Sequence, residues 1–134
     1  MSIPLSGTVK RSAGVFSALS KQLKSVNLKP VKKISIAFDP FGSNIEATRS
    51  FMYYLTGPKV AATNTNCRVK AHVLCDRSEP SVTFNLNSGE NIIFKSANLT
   101  TLELLQLLNK YISSQAPVEE PVVGLKTKSE RKRR

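Results

Sequence analysis

The chain has 134 residues, enough for one domain with extensions at its ends. It carries 20 Lys or Arg residues against nine Asp or Glu residues, which gives a formal net charge of +11. No apolar run approaches the roughly 18–20 residues that a membrane-spanning helix needs, so we expect a soluble or peripherally bound protein.

The charge is distributed unevenly along the chain. Residues 1–33 contain seven Lys or Arg residues and no acidic residue, whereas residues 34–115 contain seven basic and six acidic residues. Residues 116–134 contain six basic and three acidic residues. A nearly neutral middle between two basic ends favours a polyanionic partner, because fold stability alone does not require that pattern. The alternative is that the basic ends serve only solubility.

The first 33 residues predict an amphipathic helix with basic flanks. Apolar side chains recur at helical spacing at Val15, Phe16, Leu19, Leu23 and Val26. A segment with Lys, Arg and Ser but no acid is also typical of a mitochondrial transit peptide. Anchoring on RNA or on a membrane surface is the alternative interpretation of the same segment.

Residues 31–38 alternate between apolar and other side chains, which predicts a strand with Ile34, Ile36 and Phe38 on one face. The Asp-Pro-Phe-Gly-Ser sequence at residues 39–43 predicts a turn. A helix follows with Ser43 or Asn44 as its cap, and Gly57-Pro58 ends it.

Residues 67–75, CRVKAHVLC, alternate as a second strand, and we expect Cys67 and Cys75 to be buried on its apolar face. Two further strands around residues 82–86 and 92–94 are joined by a hairpin turn at residues 87–90. The closing helix begins with a capping box formed by Thr100 and Glu103. Its predicted buried stripe consists of Leu102, Leu105, Leu108 and Ile112.

The order strand, helix, three strands, helix predicts an α/β fold with a thioredoxin-like βαβββα core and a four-stranded mixed sheet. The first strand–helix–strand unit should be a parallel crossover, and the last two strands an antiparallel hairpin. We divide the chain into a basic amphipathic N-terminal arm at residues 1–29, a thioredoxin-like domain at residues 30–115 and a basic tail at residues 116–134. That tail should be disordered until it meets its partner.

The sequence offers little for catalysis. A thioredoxin-like enzyme would place a Cys-x-x-Cys motif after its first strand, but residues 39–42 contain no cysteine. One histidine and two cysteines on opposite strand faces cannot form a tetrahedral zinc site. There is no glycine-rich phosphate loop and no nucleophile elbow. We therefore expect no catalytic residue, no metal, no cofactor and no small-molecule substrate.

Four stretches carry a resemblance to a known family: LKPVKKISIAFDPFGSNIEATRSF at residues 28–51, KVAATNTNCRV at 59–69, RSEPSVTFNLNSGENI at 77–92 and ANLTTLELL at 97–105. Their order and spacing resemble the mitochondrial large-subunit ribosomal protein family numbered fifty-three. The resemblance implies a non-enzymatic constituent of the mitochondrial large ribosomal subunit, which is imported into the matrix and supports mitochondrial translation. It also implies a place near the base of the stalk that recruits translation factors. The alternatives are a thioredoxin-like accessory subunit of a respiratory complex and a free nucleic-acid-binding protein of the nucleus.

The partners implied are large-subunit mitochondrial rRNA and neighbouring mitoribosomal proteins. We expect rRNA phosphate contacts from basic residues of both ends and of the predicted sheet: Lys10, Arg11, Lys29, Lys32, Lys33, Arg68, Lys70, Lys126, Lys128, Arg131, Lys132, Arg133 and Arg134. We expect protein contacts from three aromatic residues: Phe41, Tyr53 and Tyr54. A nuclear-import signal is the alternative for the C-terminal basic run.

Overall fold

The computed structural model describes residues 14–116. The elements follow one another as α1 (Val15–Ser25), β1 (Val31–Phe38), α2 (Glu46–Leu55), α3 (Pro58–Ala61), β2 (Arg68–Val73), β3 (Ser81–Leu86), β4 (Asn91–Lys95), α4 (Thr101–Tyr111) and a closing 3₁₀ turn (Ser113–Gln115). The predicted basic residues at positions 10, 11, 126, 128 and 131–134 lie outside the described residues.

The four strands form one mixed sheet in the order β2-β1-β3-β4. Strands β1 and β2 are parallel, while β3 runs antiparallel to both β1 and β4. The predicted four-stranded mixed sheet and parallel crossover are thereby confirmed, and the arrangement is consistent with a thioredoxin-like core. At the hairpin turn Gly89 has φ of 93°, a conformation that glycine adopts without a steric penalty.

The core lies between the helices and one face of the sheet. The alternation in β1 and β3 places Ile34, Ile36, Val82 and Phe84 fully inside it. From the helices come the largest buried side chains, which are Phe51, Leu55, Leu104, Leu105 and Leu108. The rings of Phe51 and Phe84 meet edge to face with centroids 6.4 Å apart, so α2 is packed directly on β3.

Helix α1 packs on α4 and contributes to the same core. Leu19 and Val26 are buried there. The Asn109 amide nitrogen of α4 lies 2.9 Å from the Gln22 carbonyl oxygen and 2.8 Å from Ser25 Oγ. Val15 and Phe16 are exposed, so the apolar face predicted for this helix is covered only from Leu19 onwards. The domain boundary at residue 30 stays a prediction.

A buried hydroxyl pair ties α2 to the strands. Thr48 Oγ1 and Ser96 Oγ lie 2.6 Å apart, and the Ser96 hydroxyl also donates to the Pro80 carbonyl at 3.1 Å. Thr48 and Ser96 are both fully buried. Removing one partner would leave a buried polar group unpaired, which typically costs about 1–3 kcal/mol.

One local prediction is wrong: neither Ser43 nor Asn44 caps α2, because the N-cap position falls on Ile45, which has helical backbone angles and makes no side-chain cap hydrogen bond. The predicted stripe of α4 is largely confirmed, since Leu105, Leu108 and Ile112 are fully buried and Leu102 is half-buried. Leu104 is buried in addition. Helix α2 ends at Leu55, just before Gly57-Pro58 as predicted, and Pro58 then opens the additional short helix α3 as its first residue, a position that proline favours.

The prediction that Cys67 and Cys75 are buried is wrong. Strand β2 ends at Val73, Cys75 is exposed and Cys67 is half-buried. Partial burial raises the pKa of the Cys67 thiol. The predicted alternation is present, but β2 lies at the edge of the sheet, where no helix covers it.

Helix α4 begins with the predicted capping box. The Thr100 N–H and hydroxyl both donate to Glu103 Oε2 at 2.8 Å, and the Glu103 N–H donates to Thr100 Oγ1 at 3.4 Å. These hydrogen bonds favour the ionised carboxylate and lower the pKa of Glu103 from its usual value of 4.5.

Glu103 should make thermal stability depend on pH. A carboxylate with a lowered pKa in the folded state stabilises that state fully above the unfolded-state pKa, and the contribution is lost as pH falls through the folded-state pKa. We expect the melting temperature of the wild type to exceed that of Glu103→Gln near neutral pH, with the difference shrinking below about pH 4.5. Thermal unfolding followed by circular dichroism across this range measures it. Glu79→Gln is the exposed control, and a difference that stays constant with pH would contradict the assignment.

Candidate nucleic-acid interface

One face of the sheet carries the helices and the other is open. On the covered face Ile34, Ile36 and Phe84 are fully buried. The alternating residues Ser35 and Thr83, which point the other way, are only half-buried. We call the second side the open face.

Strand pairing defines three rows across the open face, because paired residues share a side of the sheet. In strand order β2-β1-β3-β4 the rows are Arg68-Lys33-Asn85-Asn91, Lys70-Ser35-Thr83-Ile93 and His72-Ala37-Ser81-Lys95.

The open face is cationic. Arg68, Lys33, Lys70 and Lys95 lie in these rows, and no position in them is acidic. Arg68 and Lys33 are direct neighbours across the parallel pair. Like charges on adjacent strands repel, so the arrangement is unfavourable for the isolated sheet and favourable against an anion.

The residues between the cations suit phosphate contacts better than base stacking. Ser35 and Thr83 bring hydroxyls, and Asn85 brings an amide that donates hydrogen bonds. The rows contain no Phe, Tyr or Trp, and His72 at the end of one row is the single ring in them on which a base could stack. The open face can therefore neutralise and position a nucleic-acid backbone without reading its sequence.

The structure brings together three of the predicted rRNA-contact residues, Lys33, Arg68 and Lys70. Lys32 is exposed at the irregularity where β1 shifts register against β3. Lys29 is half-buried in the segment before β1, and its carbonyl accepts a hydrogen bond from the Asn87 amide at 3.1 Å. Lys95 was missed, although its alternation with the buried Phe94 places it on the open face.

The predicted protein-contact residues separate into two places. Phe41 is 93% exposed in the turn between β1 and α2. Tyr53 is 74% exposed, and its ring meets that of Tyr54 at a centroid distance of 5.7 Å. The two tyrosines line a groove of about 720 Å³ between α1, α2 and α3, in which Lys24 and Lys59 also lie. We call this the tyrosine groove.

The turn after β1 is held together by a buried carboxylate. Asp39 is 3% exposed, its Oδ1 accepts from the Phe41 N–H at 2.9 Å and its Oδ2 accepts from the Arg77 N–H at 3.0 Å. Arg77 has φ of 56°, an uncommon conformation for a residue other than glycine. The Asp39 carboxylate thus joins the turn after β1 to the loop before β3. Its role is structural, because both oxygens are occupied by backbone hydrogen bonds.

Other classes of site find little support in residues 14–116. No group of three or more His, Cys, Asp or Glu side chains in this part of the chain is placed to hold a metal ion. Among the same residues, no helix has the length and apolar character to cross a membrane.

A protein-family model described as 39S ribosomal protein L53/MRP-L53 matches residues 38–89. The match runs from the last residue of β1 through α2, α3, β2 and β3 into the hairpin turn. It includes Arg68, Lys70 and both tyrosines of the groove. The family resemblance that the sequence motifs predicted is confirmed.

Asp39→Asn should destabilise the fold. The substituted amide has one accepting oxygen, so its nitrogen would face one of the two backbone N–H groups and leave it unpaired. We expect a loss of about 1–3 kcal/mol in the free energy of unfolding, measured by urea denaturation. Asp76→Asn is the matched control, because that side chain is exposed and an Asn oxygen can still accept from the Ser78 N–H, which lies 3.0 Å from Asp76 Oδ1. Equal stability of Asp39→Asn and wild type would contradict the structural role.

Proposed function

We propose that this chain, whose residues 38–89 match the 39S ribosomal protein L53/MRP-L53 family, is a mitochondrial large-subunit ribosomal protein of that family. We propose further that it binds rRNA through its open face and neighbouring ribosomal proteins through its helical side. The match supports a protein of the mitochondrial large ribosomal subunit and points to a structural rather than an enzymatic role. We also propose that the protein lies in the mitochondrial matrix, near the base of the stalk of the large subunit, and supports mitochondrial translation.

The observation that carries the rRNA proposal is the acid-free open face. Four cations, Arg68, Lys33, Lys70 and Lys95, share one side of the sheet. They come from all the strands except β3, so the fold collects charges that are far apart in the sequence. Their contacts with phosphates would release condensed counterions, which makes binding favourable and dependent on salt.

The tyrosine groove supports the protein-binding part. Tyr53 and Tyr54 offer large apolar surfaces with hydroxyls, and such side chains are enriched at protein interfaces. Leu23 and Val60 contribute apolar lining. Because this groove lies among the helices, rRNA on the open face leaves it accessible to another subunit.

Sedimentation tests the assembly. We expect the tagged full-length chain, in a gradient of mitochondrial lysate, to migrate with large ribosomal subunits. Migration with a membrane respiratory complex, or recovery outside mitochondria, would contradict the proposal and support one of the alternatives from the sequence.

Charge removal tests the open face. We expect the double variant Arg68→Ser/Lys70→Ser to bind rRNA more weakly. The negative slope of log K against log salt should become shallower by about one for each phosphate contact that is lost. Binding of the full-length chain to large-subunit rRNA fragments over a salt series measures the slope. Lys24→Ser/Lys59→Ser removes the same charge from the tyrosine groove and should leave the slope near wild type. Equal slopes for both double variants would mean that only net charge matters.

A further inference from the structure

The outer edge of β2 has no paired strand. β2 is the terminal strand of the sheet and pairs only with β1 among residues 14–116. All six residues of β2 are exposed, in contrast to the alternating burial along β3. The backbone N–H and C=O groups on that edge are therefore available to another strand.

An apolar row runs along β2 on the side of the sheet that carries the helices. Val69 pairs with Ile34 and Val73 with Phe38, and both β1 residues are buried. Val69 and Val73 are nevertheless 36% and 61% exposed. The apolar layer of the sheet thus continues beyond the part that the helices cover.

A groove of about 480 Å³ extends this apolar row. Its lining includes Leu28, Leu55, Pro58, Ala61 and Cys67, with Val69 at the start of β2. An apolar side chain that projects from a strand beside β2 on the helical side can enter this groove. One extended segment could therefore pair with the strand edge and fill the groove at the same time.

We propose that an extended segment of a neighbouring polypeptide adds to β2 as a fifth strand. Its backbone would pair with the free edge of β2. Its side chains would alternate: apolar residues would lie beside Val69 and Val73, and polar residues without positive charge would lie beside Arg68 and Lys70. The inference rests on the proposed assembly into the large subunit, and it is independent of rRNA binding at the open face.

The charges on β2 argue against a second copy of this chain as the occupant. If β2 paired symmetrically with β2 of a second copy, each face of one sheet would continue into the same face of the other. Arg68, Lys70 and His72 would then lie opposite residues of this same set in the second copy. Like charges directly opposite each other are destabilising. A run of RNA phosphates fits the edge poorly as well, because phosphate oxygens only accept hydrogen bonds, whereas a strand edge presents both donors and acceptors.

Cys75 provides a native probe for the occupant. It is exposed two residues beyond the end of β2. In purified large subunits that contain the full-length chain, we expect a thiol-linked photo-crosslinker on Cys75 to join a segment of another ribosomal protein. Crosslinks only to rRNA, to residues 117–134 of the same chain or to a second copy would overturn the inference. So would the absence of crosslinks together with maleimide labelling of Cys75 as fast in the subunit as in the free protein.

A matched pair of substitutions tests the apolar row. Val73 on β2 and Val15 on α1 are 61% and 64% exposed, and Val15 lies outside the open face and outside both grooves. We expect Val73→Asn to increase the dissociation of the chain from large subunits roughly tenfold on dilution, because an apolar contact is lost, and Val15→Asn to change it less than about twofold. Equal effects would overturn the inference. Melting temperatures equal to that of the wild type would show that both variants fold. Absence of the wild-type chain itself from large subunits would instead refute the proposed function.

Discussion

One apolar layer joins the helices to a single face of the sheet, and the functional surfaces follow from that one-sided packing. Leu19 of α1, Phe51 of α2 and Leu105 of α4 belong to one cluster with Ile34 and Phe84 of the sheet. With all of its helices on one side, the chain has nothing among residues 14–116 to bury the other face. That face must be polar, and here it is also cationic.

Local patterns in the sequence were enough to predict the helices and strands of the domain and to place part of the open face. Period-two alternation identified β1 and β3, and the spacing of Thr100 and Glu103 identified the start of α4, because both signals involve neighbours in the chain. The same alternation placed Arg68 and Lys70 on the side opposite the valines. It could not show that β2 is an edge strand, because alternation describes which residues share a face and not whether a helix covers that face. The exposure of Cys75 and Val73 follows from sheet order, a long-range property.

The polar links that connect the elements were beyond sequence reasoning for a related reason. Asp39 was expected in a turn, and its bond to Phe41 is local, but its second bond reaches Arg77 across the fold. The Thr48–Ser96 pair likewise joins residues 48 positions apart. Such pairs are recognisable only once the chain is folded, and each replaces solvation that burial has removed. Together they fix the segment before β3 and the end of β4 against β1 and α2.

Strand β2 carries two cations and is exposed along its whole length, and the two properties are compatible because they use different atoms. Side chains of Arg68 and Lys70 project from the open face, whereas pairing with another strand would engage the backbone at right angles to them. A free edge with an apolar row is prone to self-association, and charged side chains on an edge strand oppose it. The cations that we propose to contact rRNA would thus also oppose pairing of this edge with a second copy, while a strand of different charge could still pair there.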